Sequence, residues 1–71
     1  MLERVREALP PKLAAAVVSA GLEQGRLTIG VVGAVWASRL RYSMERIQLK
    51  VSAPGIPVHS VRIRVVPPPD L

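Results

Sequence analysis

Apolar positions change their spacing three times along the chain, and each change predicts a new type of element. From Met1 to about Ala16 the apolar residues recur at helical spacing, interrupted by prolines at positions 10 and 11. Proline lacks an amide donor and clashes with the preceding helical turn, so this stretch predicts either two short helices or one kinked helix. Two β-rich runs follow, Val17 to Leu22 and Arg26 to Val32, separated by a glycine-containing turn of hairpin length.

The second β-rich run alternates apolar with polar or small residues, which predicts a strand with one buried face and one solvated face. The buried face holds Leu27, Ile29 and Val31, and the solvated face holds Arg26, Thr28 and Gly30. The run from His59 to Val66 alternates in the same way and predicts a third strand. Its apolar positions are Val61, Ile63 and Val65, and they alternate with Ser60, Arg62 and Arg64.

Between these strands, from about Ala34 to Lys50, the apolar spacing becomes about 3.6 residues, which predicts one long helix. Its apolar stripe consists of Trp36, Leu40, Met44 and Ile47. Because Trp36 lies on this stripe, we expect its ring in the core. Tyr42 lies off the stripe and is better placed to meet a ligand or a partner.

The predicted order is helix, strand, strand, helix, strand, which defines an α+β fold. A three-stranded mixed sheet with the helices packed on one face buries these apolar stripes most economically. Seventy-one residues suffice for one small domain, which we place at residues 1–66. Residues 67–71 begin with three consecutive prolines, and we expect them to form an extended, solvated tail.

The balance of charges narrows the classes of partner. Ten Lys and Arg against five Asp and Glu give a formal net charge of +5. Such an excess on a small domain favours polyanions, chiefly nucleic acid or acidic lipid. No stretch reaches the roughly 18 apolar residues of a membrane span, and the first residues do not have the pattern of an export signal. We therefore expect a cytoplasmic protein without a membrane partner.

The chain offers little for catalysis or metal binding. It has no cysteine and a single histidine, His59, whose place at the start of a strand is typical of a loop residue. A nucleophilic triad cannot be assembled from these residues with confidence. The carboxylates are better explained as solvated surface groups than as an acid and base pair or a metal site. We therefore expect no enzyme, no catalytic residue, no metal and no cofactor.

Six basic residues form two candidate surfaces for nucleic acid. On the predicted long helix, Arg39, Arg46 and Lys50 recur at spacings of seven and four residues, which aligns them along one flank of the apolar stripe. On the predicted sheet, Arg62 and Arg64 project from the outer face of the third strand, and Arg26 can join them from the hairpin. Both sets can contact phosphates, and the alternative is that these charges only keep exposed faces solvated.

The segment Gly30 to Gly33 has the letters of the Gly-x-x-Gly loop with which KH domains hold a nucleic-acid backbone. In KH domains that loop joins two helices, whereas here the segment joins a predicted strand to a predicted helix. We therefore interpret Gly33 as a residue that lets the chain turn.

Three segments of the chain carry a family resemblance. They are Leu22-x-x-Gly25-x-Leu27, Trp36-Ala37-x-x-Leu40-Arg41-Tyr42 and Val61-Arg62-Ile63-Arg64-Val65. Together they resemble the DUF721 family of DciA-like proteins, which are bacterial loaders or operators of the replicative helicase, and the resemblance extends over roughly Leu9 to Pro67. It implies a KH-like domain, the hexameric replicative helicase as a partner, and single- or double-stranded DNA as a second ligand.

Charge and resemblance together favour a non-enzymatic DNA-binding accessory domain that acts in DNA replication and helicase loading. In this hypothesis Arg39, Arg46 and Lys50 contact phosphates without sequence specificity. The alternative is a protein-interaction or homodimerisation module that does not bind DNA directly, in which the basic residues serve only solubility.

Overall fold

A computed structural model describes residues 1–67, which form four helices and three strands. In chain order these are α1 (Leu2–Glu7), α2 (Pro11–Ala16), β1 (Val17–Glu23), β2 (Arg26–Val32), α3 (Ala34–Arg41), α4 (Met44–Val51) and β3 (Ser60–Val66). The predicted α+β class is confirmed. Of the predicted tail, residues 68–71 lie outside the described residues.

The two prolines near the N-terminus separate two short helices, one of the two alternatives that the sequence left open. Pro10 has φ −59° and ψ 152°, an extended conformation that ends the first helical segment. Pro11 opens α2 at a position where its missing amide hydrogen costs no helical hydrogen bond. The side chains of Val5 and Leu13 anchor α1 and α2 to the core.

The three strands form a mixed sheet in the order β1-β2-β3, with β1 and β2 antiparallel and β2 and β3 parallel. The β1–β2 hairpin closes through a two-residue turn in which Gln24 has φ 51° and Gly25 has φ 78°. Positive φ at both positions is typical of the type I′ turn, whose twist matches the two strands. The turn also aligns β3, because the amides of His59 and Ser60 donate to the Gly25 carbonyl at 2.7 and 3.2 Å.

The prediction of one long helix from Ala34 to Lys50 is wrong, because α3 and α4 are separate helices. The amides of Tyr42 and Ser43 donate to carbonyls three residues back, at 3.2 and 2.9 Å, which closes α3 in a tight turn. The Ile47 amide then donates to the Ser43 carbonyl at 2.9 Å and starts α4. Both short helices bury an apolar residue against the same core, so the apolar spacing continues across the break.

The core lies between the helices and one face of the sheet, as predicted. It receives fully buried side chains from α1, both hairpin strands, α3 and α4: Val5, Val17, Leu27, Ile29, Val31, Leu40, Ile47 and Val51. Trp36 is not among them, contrary to expectation, since it is half-buried and packs against the margin of the core. Trp36 stands in the first turn of α3, where its ring borders two surface depressions.

Candidate functional site

The open sheet face is the face of the sheet opposite the helices. The pairing of β2 with β3 sets Arg62 beside Thr28 and Arg64 beside Gly30. Arg26 lies on the same face at the start of β2, beside Ser60. The pleat of the strands sends these side chains away from the core, and all three arginines are exposed.

Small residues keep the middle of the open sheet face flat. Gly21 and Thr28 face each other across the hairpin, and Ser19 faces Gly30. A Cβ atom at Gly30 would collide with the Ser19 Oγ atom and would lie 3.0 Å from a methyl carbon of Val66. A larger residue at position 30 would therefore push apart the side chains on either side of it.

A shallow groove of about 510 Å³ runs across this face. Gly21 and Thr28 form part of its lining, with Arg26, Arg62 and Arg64 beside them. One carboxylate, Glu23, also borders it. Three guanidinium groups against one carboxylate favour an anionic ligand, and guanidinium is the cation that best matches the geometry of a phosphate group. The structure thus brings together the three arginines that the strand pattern placed on one face.

Two anchors fix the arginine-bearing strand in position. The Gln48 Nε2 atom on α4 donates to the Val58 carbonyl at 3.0 Å, and the Val58 amide donates to the Ser52 hydroxyl oxygen at 3.3 Å. These bonds hold the segment that leads into β3, and the contact of His59 with the Gly25 carbonyl sets its register. Arg62 and Arg64 therefore lie on a strand whose entry is attached to α4 and to the hairpin turn.

The three helix cations do not form the continuous row that one long helix would have given them. Arg39 lies on α3, with its guanidinium carbon 5.5 Å from the centre of the Trp36 ring, a cation–π geometry. Arg46 and Lys50 lie on α4 and border a different depression, of about 460 Å³, together with Leu49. Tyr42 stands between the two groups and is 93% exposed.

A groove between α2 and α3, of about 370 Å³, contains a cation that the sequence analysis missed. Lys12 and Arg39 border this groove, and Leu13, Trp36 and Tyr42 supply apolar lining. No local pattern could have paired Lys12 with Arg39, because their proximity depends on how α2 packs on α3.

The Gly-x-x-Gly segment has the structural role that its position predicted. Gly30 lies within β2, and Gly33 has φ 91° at the junction with α3. An L-residue rarely adopts such a φ, so glycine allows the sharp turn from strand to helix.

Within residues 1–67, no helix is long and apolar enough to cross a membrane. In the same residues, no group of three or more His, Asp or Glu side chains could hold a metal ion.

A protein-family model, described as "Dna[CI] antecedent, DciA", matches residues 1–63. The match covers most of the 71-residue chain. It confirms the family resemblance carried by the hairpin, the Trp36 segment and the third strand. No curated protein and no solved structure matches the chain.

Proposed function

The chain belongs to the DciA family, whose members have a helicase-loader-type accessory role, and we propose that it fulfils this role as a non-enzymatic nucleic-acid-binding domain. Family membership supports the replicative helicase as a partner. Nucleic acid, single- or double-stranded, is the second ligand of the proposal. The KH-like fold that the resemblance implies stays a prediction.

The observation that carries this proposal is the cluster of Arg26, Arg62 and Arg64 around one groove, on a face that no helix of residues 1–67 covers. Neither of the chain's two aromatic residues lines this groove. Binding there depends on phosphate contacts and not on base stacking, which predicts little sequence preference.

The cations on α3 and α4 are less well placed than the sheet arginines to bind one nucleic-acid backbone. Arg39 is already stacked near Trp36, and it belongs to a different depression from Arg46 and Lys50. A nucleic-acid backbone that follows the open sheet face has three cations around one groove, whereas Arg39, Arg46 and Lys50 are divided between two depressions on the helical side. We propose Arg39, Arg46 and Lys50 as auxiliary phosphate contacts.

The test is binding of a fluorescent, mixed-sequence oligonucleotide, measured by anisotropy. A variant that combines Arg26→Gln, Arg62→Gln and Arg64→Gln should bind at least about tenfold more weakly than the unchanged chain, because three counterion-releasing contacts are lost. The matched control is Arg4→Gln, an exposed arginine of α1 that does not line the groove of the open sheet face. Equal affinity of the triple variant and the unchanged chain would refute the assignment of this surface.

A protein-interaction or homodimerisation module is the second candidate. Its support is the exposure of Tyr42, at 93%, and of Leu49, at 75%, which border the same depression on the helical side. Light scattering over a range of protein concentrations separates the two candidates. A dimer that is insensitive to salt, together with no binding of the oligonucleotide, would favour this second candidate.

A further inference from the structure

The sheet has two edges, and in the described part of the chain they are built differently. At the β1 edge, the register shifts between Val17 and Ser19, a bulge-like irregularity. The Arg6 guanidinium also donates two hydrogen bonds to the Val17 carbonyl, at 2.8 and 3.3 Å. Bulges and capping contacts are common means by which proteins prevent another strand from pairing with an edge. The β1 edge is therefore interrupted at its Val17 end.

The β3 edge lacks both devices. All seven residues of Ser60–Val66 pair with β2 in unbroken register, and none of them is a proline. Among the backbone hydrogen bonds described for residues 1–67 outside helices and strands, none involves residues 61–66. The outward-facing amides and carbonyls of β3 thus remain available to a further strand.

Both faces of β3 also favour an added strand. On the core side, Val61 and Ile63 are half-buried and Val65 is 52% exposed, although the neighbouring apolar residues of β2 are fully buried. On the open side, Arg62 and Arg64 are exposed. A strand laid against this edge would cover the apolar stripe with one set of its side chains and meet two guanidinium groups with the other.

A second copy of this chain fits the edge poorly. In a symmetric antiparallel pair of β3 strands, a two-fold axis perpendicular to the sheet places side chains of the same face opposite each other. With the axis at Ile63, each Arg62 faces an Arg64, and with the axis at either arginine, that arginine faces its own copy. An axis at Val61 or Val65 avoids these contacts but pairs only three residues of β3 with their copies. Like charges directly opposite each other destabilise a sheet.

We propose that the free edge of β3 accepts an extended, acidic segment of a partner protein as a fourth strand. Its acidic side chains alternate with apolar ones, so that carboxylates lie beside Arg62 and Arg64 while apolar side chains extend the core over Val65. Strand addition of this kind takes affinity from main-chain hydrogen bonds and specificity from alternate side chains.

This inference goes beyond the proposed function and does not depend on it. Arg62 and Arg64 belong to both surfaces, so an added acidic strand competes with nucleic acid for the same guanidinium groups. This expected competition alone rests on the proposed function: an added acidic strand should displace a nucleic acid from the open sheet face.

The probe is a blocked seven-residue peptide that alternates Glu and Val, added to isotope-labelled protein without nucleic acid. Amide hydrogen exchange should slow at alternate residues of 61–66, where new main-chain hydrogen bonds form. A peptide of the same sequence with all internal amides N-methylated keeps the charge but cannot donate to a ladder. It should bind at least tenfold more weakly. Arg64→Glu should weaken binding of the Glu-Val peptide and strengthen binding of a Lys-Val peptide, while Arg4→Glu changes neither.

Equal binding of the methylated peptide, or unchanged exchange in β3, would overturn the proposal. Exchange in β3 that slows with protein concentration in the absence of peptide would also overturn it, by showing that a second copy occupies the edge. A separate titration with the oligonucleotide keeps the two proposals distinguishable. If the oligonucleotide binds but the peptide does not pair, only the inference about the edge is removed. If the peptide pairs but the oligonucleotide does not bind, only the proposed function is removed.

Discussion

Neutralising Arg62 alone should lower the salt dependence of oligonucleotide binding by about one released counterion. Without the auxiliary helix cations, the three arginines on the open sheet face predict a slope of log affinity against log salt of about −2.7 for duplex DNA and about −2.1 for a single strand. Between 50 and 200 mM salt, these slopes correspond to roughly 40-fold and 20-fold losses of affinity. In Arg62→Gln, two contacts remain, and the slopes fall to about −1.8 and −1.4.

The assay is an anisotropy titration with a mixed-sequence duplex and with one of its strands, repeated across this salt range. The absolute slope reports how many cations contact phosphates. All six candidate residues acting together would give a slope of about −5.4 for duplex DNA. The Arg4→Gln variant should keep the slope of the unchanged chain.

The comparison with Arg46→Gln tests the choice of surface. Arg46 lies on α4, away from the groove of the open sheet face. If the Arg46 change lowers the slope by about 0.9 while Arg62→Gln leaves it unchanged, the helical side is the interface and the reasoning from the sheet is refuted.

Two further predictions concern the scaffold, each with a matched control and each measured by chemical denaturation. Gly25→Ala should destabilise the chain by about 1–3 kcal/mol, because Gly25 has φ 78° and a Cβ atom would overlap the His59 ring. The control is Gly21→Ala, where nothing lies within 4 Å of the added carbon, and its loss of stability should be well below that amount. Ile47→Ala should lower the free energy of unfolding by about 2–5 kcal/mol, because Ile47 is fully buried. The control on the same helix is Leu49→Ala, at a side chain that is 75% exposed, and it should change stability by less than about 0.5 kcal/mol. Equal effects within either pair would contradict the burial and backbone geometry described above.

The strands and the open sheet face could be predicted because strand periodicity leaves only two choices for each side chain. Once Leu27 and Ile29 are buried, Arg26 and Thr28 must point to the other face. The same alternation places Arg62 on the open face of β3. Parallel pairing of β2 with β3 then brings the arginines of distant segments together. The sequence predicted a mixed sheet but left the direction of this pairing open.

The helical side was harder to predict because apolar spacing reports burial but not continuity. Leu40 and Ile47 are seven residues apart, a spacing that one helix satisfies and that two helices joined at Tyr42 and Ser43 satisfy as well. The break removed the common flank expected for Arg39 and Arg46. Apolar spacing also did not show that Trp36, in the first turn of α3, packs at the margin of the core and not within it.

The separation of the helical layer from the open sheet face gives the domain two surfaces that need not exclude each other. Tyr42 and Leu49 are exposed on the helical side, whereas Arg26, Arg62 and Arg64 lie on the far face of the sheet. A protein partner on α3 and α4 therefore leaves the arginines free for phosphates. A partner that adds a strand beside β3 does not, because it uses two of the same arginines. Whether a partner and nucleic acid bind together or in exchange thus depends on which surface the partner occupies.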